Sequence, residues 1–139
     1  MQYAVPRTGI PARSSIAAWL GAALGVRARV TVRFVGAAEG RRLNREYRGR
    51  DYATNVLTFA YNDGRGRALE GDIVLCAPVV AREARAQRKT ARAHYAHLAV
   101  HGALHLQGFD HERARDAARM EARERRIMER LGFGDPYGP

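Results

Sequence analysis

The chain has 139 residues, 46% of them apolar, and a formal net charge of +10. That suffices for one packed domain but not two, and no apolar run approaches the roughly 20 residues that a membrane-spanning helix needs. The first residues lack the charged-then-apolar layout of a secretory leader, and a single cysteine, Cys76, excludes an internal disulfide, so a cytoplasmic protein with no membrane and no disulfide partner is expected.

Residues 1–5 form a candidate short edge strand. Residues 11–24 place Ile16, Trp19, Leu20 and Ala23 on one face of a helix that Gly25 ends. Residues 27–36 alternate Val30, Val32 and Phe34 with Thr31 and Arg33, the two-residue period of a strand. A short basic helix over 37–48 follows. The β-branched, apolar runs 54–61 and 71–77 predict central strands, joined by the glycine-punctuated and mobile loop "NDGRGRALEG". Pro78 opens a helix over 78–88. Thr90 caps a longer one that runs to Gln107, where Gly108 fits the left-handed stop. The last helix, 112–131, alternates Arg and Glu and stops at Gly132. Four strands and five helices in this order give an α+β, or mixed α/β, domain over residues 1–139.

The charge is unevenly placed. Residues 1–50 carry ten arginines against Glu39 and Glu46, whereas the remainder carries fourteen basic and twelve acidic groups. A basic half of this kind suits a polyanion, because each neutralised phosphate releases counterions.

Three of the five histidines fall within "HGALHLQGFDH", residues 101–111. On a helix, His101 and His105 stand one turn apart on one face and can chelate one ion. Gly108 lets the chain reverse, and His111 then supplies a third nitrogen. Three neutral imidazoles suit one zinc ion per chain and leave the fourth tetrahedral position to water, the mark of a catalytic site. His97 and His101 offer an alternative chelating pair, but only 101 and 105 have the turn and a third histidine downstream; His97 is assigned to the groove lining or to a place behind the ligands, His94 to the structure. The pattern H-x-x-x-H-x-x-G-x-x-H has the spacing of the metzincin peptidases, but their general base directly follows the first histidine, and here that position is Gly102. Proteolysis is therefore disfavoured. Phosphodiester cleavage by a zinc-acidified water needs chiefly a cation beside the developing phosphorane charge.

The same residues resemble the YbeY family, bacterial endoribonucleases of ribosomal RNA maturation. "LNREYRGRDYATNVLTF" (43–59), "GDIVLC" (71–76), "AHYAHLAVHGALHLQGFDH" (93–111) and "IMERLGFGDPY" (127–137) carry the likeness, in order and spacing, from about residue 30 onward. Many relatives carry "KPTDVLSF" or "KPTNVLSF" where this chain has "YATNVLTF". The resemblance implies a small, mostly parallel four-stranded mixed sheet with one antiparallel strand, packed with about five helices in a single zincin-like domain. It implies His101, His105 and His111 as metal ligands and Arg48, in the "YR" before the glycine, as the essential arginine. It also implies a single-stranded RNA substrate, action at the 3′ end of small-subunit ribosomal RNA and in ribosome quality control, and ribosome or small-subunit assembly proteins as partners.

An arginine guanidinium binds two phosphate oxygens at once, which suits Arg48 and its neighbour Arg50. Asp51, Thr54 and Asn55 are expected to line the same groove, and Asp110 either to orient an imidazole from behind or to stabilise the turn. Glu124 interrupts the apolar stripe Met120, Ile127, Leu131 without an explanation in the sequence. Two other readings compete with the nuclease: an RNA- or ribosome-binding assembly factor with a structural metal, and a metallopeptidase.

Overall fold

A computed structural model describes residues 1–110 and 112–138. The chain order is β1 (Gln2–Tyr3), α1 (Arg13–Ala23), β2 (Ala28–Val35), α2 (Ala37–Arg48), β3 (Val56–Ala60), β4 (Leu69–Cys76), α3 (Ala77–Ala86), α4 (Ala91–Leu106) and α5 (Ala114–Arg130). The sheet runs β1-β2-β4-β3, with β1 and β2, and β2 and β4, parallel. β3 lies antiparallel to β4, from Val56 opposite Leu75 to Ala60 opposite Gly71. This is the small mixed sheet with one antiparallel strand that the sequence led us to expect, with one correction. Only β4 of the two apolar runs is central; β3 is an edge strand, half-buried, with hydrogen-bonding partners on one side.

Both sheet faces are covered, so the apolar residues divide between two clusters. On one face, Val32, Phe34, Ile73 and Leu75 meet Ile16, Trp19 and Leu20 of α1 and the length of α4. On the other, Val35, Leu57, Val74, Cys76 and Val79 pack with Leu43 of α2. Cys76 is thus a buried free thiol in the smaller cluster. α1 buries Ile16, Trp19, Leu20 and Ala23, the i, i+3, i+4, i+7 stripe of an amphipathic helix. It ends at Leu24 in extended backbone; Gly25 adopts no left-handed turn and its N–H instead donates to Gln107 Oε1 at 2.8 Å.

Helix α4 packs against α1, α3 and α5 on one face of the sheet. Thr90 Oγ1 accepts the Ala93 N–H at 3.0 Å and caps its start, and Gly108, at φ 95°, turns the chain away after its end. Ten of its sixteen residues are buried. It approaches the sheet closely at Gly71, where a methyl group would stand 2.7 Å from Leu106 Cδ2 and 2.8 Å from the carbonyl oxygen of Phe59. The loop between β3 and β4 is organised by Asn62, whose Oδ1 accepts the N–H groups of Gly64 and Glu70 and whose Nδ2 donates to Ala68 O.

Gly71→Ala is expected to lower folding stability by about 1–3 kcal/mol, because a strand carbonyl cannot retreat as a side chain could. Urea denaturation, read by the shift in midpoint against the parent, checks this.

Candidate active site

The histidines of α4 form a line along the helix. His101 and His105 stand one turn apart with ring centroids 4.7 Å apart and planes at 77°. Both open onto a groove of about 480 Å³. Its second wall is the end of α2, where Gly49, at φ 69°, stops the helix and leaves Arg48 and Arg50 beside the groove. Thr54 to Phe59, every residue in turn, border it, as befits the free side of an edge strand. The structure therefore brings together His101, His105, Arg48, Arg50, Thr54 and Asn55. His111, the third expected ligand, lies outside the described residues.

Three other expected site residues sit elsewhere. Asp51 accepts Arg41 Nε at 2.7 Å and Arg41 Nη2 at 2.9 Å, with Arg45 Nη1 at 3.9 Å, and does not line the groove. Its carboxylate follows the nearest cations, those on the outer face of α2. Asp110 sits in the turn after α4, where its Oδ1 accepts the Glu112 N–H at 3.1 Å, and it borders a separate cavity with Asp116 and Arg119. His97 lies one turn before His101 and lines a neighbouring cavity of about 470 Å³ rather than the groove.

His97 takes part in a cluster that the sequence did not reveal. Its Nε2 is 2.9 Å from Glu124 Oε2, while His101 Nδ1 meets Glu124 Oε1 and the Tyr137 hydroxyl donates to Oε2. Glu124 is fully buried. Burial pushes its carboxyl upward, yet the hydrogen bonds to His101, His97 and the Tyr137 hydroxyl outweigh it and bring the pKa down to about 2. Burial and the bond to this carboxylate together raise the Tyr137 phenol. One ligand-type atom each from His97, His101 and Glu124 lie within 4.8 Å of one another, so this trio too could hold a metal ion. A second carboxylate acts similarly upstream. Glu83 Oε1, from α3, accepts His94 Nε2 at 2.8 Å and Asn55 Nδ2 at 3.0 Å, fixing the Asn55 amide at the edge of the groove. Burial lowers the His94 pKa, with Glu83 opposing.

Two aromatic residues were also missed. Tyr47 and Tyr52 line the groove while 64% and 52% exposed. The one available signal was their place within the "EYRGRDY" run. Among the described residues, no Asp or Glu lines the groove; its charged groups are arginines.

Comparison with known proteins gives this arrangement a family. The model of a family described as endoribonuclease YbeY matches residues 13–132. The chain belongs to the endoribonuclease YbeY family. It is 56% identical to the endoribonuclease YbeY of Cupriavidus metallidurans, over 96% of this chain and 68% of that protein. For Cupriavidus pinatubonensis the figures are 57%, 94% and 65%, so the chain spans about two thirds of the length of these relatives. Against the Nitrosomonas eutropha protein of the same name it is 54% identical, covering 99% and 96% of the two chains. A Thermotoga maritima protein solved in solution shares the fold, with a TM-score of 0.54 at 24% identity over 91% of this chain and 89% of that one.

Gly102, where a metzincin carries its glutamate, explains why no such base stands here. A Cβ at this position would lie 3.2–3.3 Å from Ile73 and Thr58, on the helix face pressed against the sheet. Gly102→Ala is expected to stay within about 1 kcal/mol of the parent, since the gain in helix propensity offsets the tight contact. Gly102→Glu, which also buries a carboxylate beside Ile73, should cost roughly 3 kcal/mol or more. Paired urea melts of the two variants measure the difference.

Proposed function

We propose that residues 1–139 act as one domain, a zinc-dependent endoribonuclease that cleaves single-stranded RNA. Its proposed work is maturation of the 3′ end of small-subunit ribosomal RNA and ribosome quality control, in the cytoplasm, with ribosome or small-subunit assembly proteins as partners. Family membership supports the RNA substrate, and among the described residues no helix is long and apolar enough to cross a membrane. The observation that carries the reading is a single groove onto which Arg48, His101 and His105 all open and which no carboxylate lines among the described residues.

The donor set suits a borderline cation: two imidazoles one helical turn apart, with a glycine-turned chain leading on to a third. His101, His105 and His111 would hold it, one ion per chain. Bound there, zinc would supply a Lewis acid for phosphoryl oxygens and an acidified water. The remaining work falls to the chain's own groups. Arg48 grips the phosphate at two oxygens and, with Arg50, neutralises charge that builds there during attack. Asn55, held by Glu83, and Thr54 orient the sugar-phosphate backbone along the strand. Tyr47 and Tyr52 offer flat faces to unstacked bases, which a duplex keeps to itself; this favours single strands.

Elemental analysis should find zinc, and the protein should cleave single-stranded RNA in preference to duplex, with chelators abolishing cleavage. Arg48→Ala is expected to lower turnover by about a hundredfold with far less effect on RNA affinity. A variant that instead loses affinity and keeps turnover would favour an RNA-binding assembly factor. His105→Ala should lose both zinc and cleavage; full cleavage by that variant, with metal confirmed absent, would sink the nuclease mechanism.

Electrostatic attraction gives a further expectation. RNA affinity should fall steeply between low and moderate salt as condensed counterions cease to be released at a gain. Binding isotherms at several salt concentrations report the slope.

A further inference from the structure

We propose that Glu124 is a positioning residue for the metal ligand His101, fixing which ring nitrogen carries the proton and which is offered to the ion. The proposal rests on the reading that His101, His105 and His111 are the ligands.

Glu124 sits on the buried stripe of α5 with Met120, Ile127 and Met128, where an unpartnered carboxylate would be very costly. It is not unpartnered. His101 Nδ1 meets Oε1, and His97 Nε2 and the Tyr137 hydroxyl meet Oε2. An ionised carboxylate accepts and never donates, so each ring nitrogen facing it must carry the hydrogen. A neutral imidazole has one such hydrogen. With Nδ1–H committed to Glu124, the lone pair of His101 is left on Nε2, which the ring directs away from α5. That is the tautomer a metal ligand requires, with a carboxylate behind the ring that raises the basicity of the ligating nitrogen.

The cluster is closed by the chain's last turn. The Tyr137 ring stands edge-on to His97, with centroids 5.1 Å apart. Asp135 accepts the Tyr137 N–H at 2.9 Å and is paired with Arg125 of α5 at 3.2 Å, while Lys89 Nζ donates to Pro136 O. Tyr137 thus holds Oε2, leaving Oε1 to His101.

Two measurements test this. In the metal-free, ¹⁵N-labelled parent protein, long-range proton–nitrogen correlation spectra are expected to place the His101 proton on Nδ1. Glu124→Gln should erase that preference and weaken zinc binding about 10–100-fold in chelator competition. Tyr137→Phe, which spares the His101 contact, should weaken binding less. A proton on Nε2 in the parent, or Glu124→Gln binding zinc as tightly as the parent, overturns the proposal. If Glu124→Gln fails to fold, the parent spectrum and Tyr137→Phe decide, with unchanged Nδ1–H supporting it and Nε2–H refuting it. Loss of zinc from His105→Ala with full retention by Glu124→Gln would remove the positioning role alone. The opposite pair, retention by His105→Ala and complete loss by Glu124→Gln, would make Glu124 a ligand, and both this proposal and the assigned ligand set would fall.

Discussion

Four imidazoles on one helix, His94 buried and His97, His101 and His105 half-buried, create a demand for hydrogen-bond acceptors, and the way it is met arranges much of the site. A buried ring N–H without an acceptor forfeits its hydration for nothing in return. Helix α4 cannot supply acceptors, since its own carbonyls are used within the helix. They come from α3 and α5 instead: Glu83 reaches His94, and Glu124 reaches His97 and His101. The Glu124 carboxyl is held low by what it binds, and each of the two carboxylates ties a neighbouring helix to α4 at a fixed height. Glu83 also holds Asn55, so the same demand extends to the loop before β3. His105 lies past this reach, at the groove, where Gly108 and the turn after α4 begin.

The opposite wall of the groove obeys electrostatics of a different kind. Part of the positive charge in the first fifty residues is already paired locally. Arg33 forms a two-pronged pair with Glu39, and Arg41 and Arg45 share Asp51. Surface pairs of this sort contribute little to stability. Their effect here is on direction, because they quench the field on the outer face of α2 and leave Arg48 and Arg50 at the groove. A count of arginines overstates the attraction for a polyanion; the position of those two is what counts.

The helices, their caps and the approximate ends of the strands were legible because they depend on local spacing. Thr90 and Gly108 bracket α4 as capping chemistry requires, and the apolar stripe of α1 holds residue for residue. The pair His101 and His105 was legible for the same reason; Arg48 came only from the family resemblance, since an arginine before a glycine reads by itself as a solvated surface group. What was hidden depends on contacts between distant segments. Glu124 stands 23 residues from His101, and its meaning appears only when α5 packs against α4. Asp51 looked like a groove residue by proximity to Arg48, whereas α2 offers it two closer cations. β3 read as central because both its faces touch side chains, yet hydrophobicity reports face burial and is blind to which edge is paired. α1 does stop just before Gly25, but through extended backbone at Leu24 and the Gln107 side chain on the Gly25 N–H rather than a left-handed glycine.

The glycine at 102 connects fold and chemistry. Metzincin spacing with no glutamate after the first histidine could be read as a peptidase missing its base. The packing says otherwise: residue 102 faces Ile73 and Thr58, so a side chain of that length has no room while α4 lies on this sheet. The carboxylate nearest to the histidines is instead Glu124, on the far side of the His101 ring from the groove. Such an arrangement suits a phosphodiester better than a peptide. A peptide leaving group needs a proton delivered from within the site, and a carboxylate base serves that end; a phosphodiester carries its own negative charge and would be repelled by one. By keeping Glu124 behind the His101 ring and its arginines in front, the chain presents a groove whose charge matches a nucleic acid backbone.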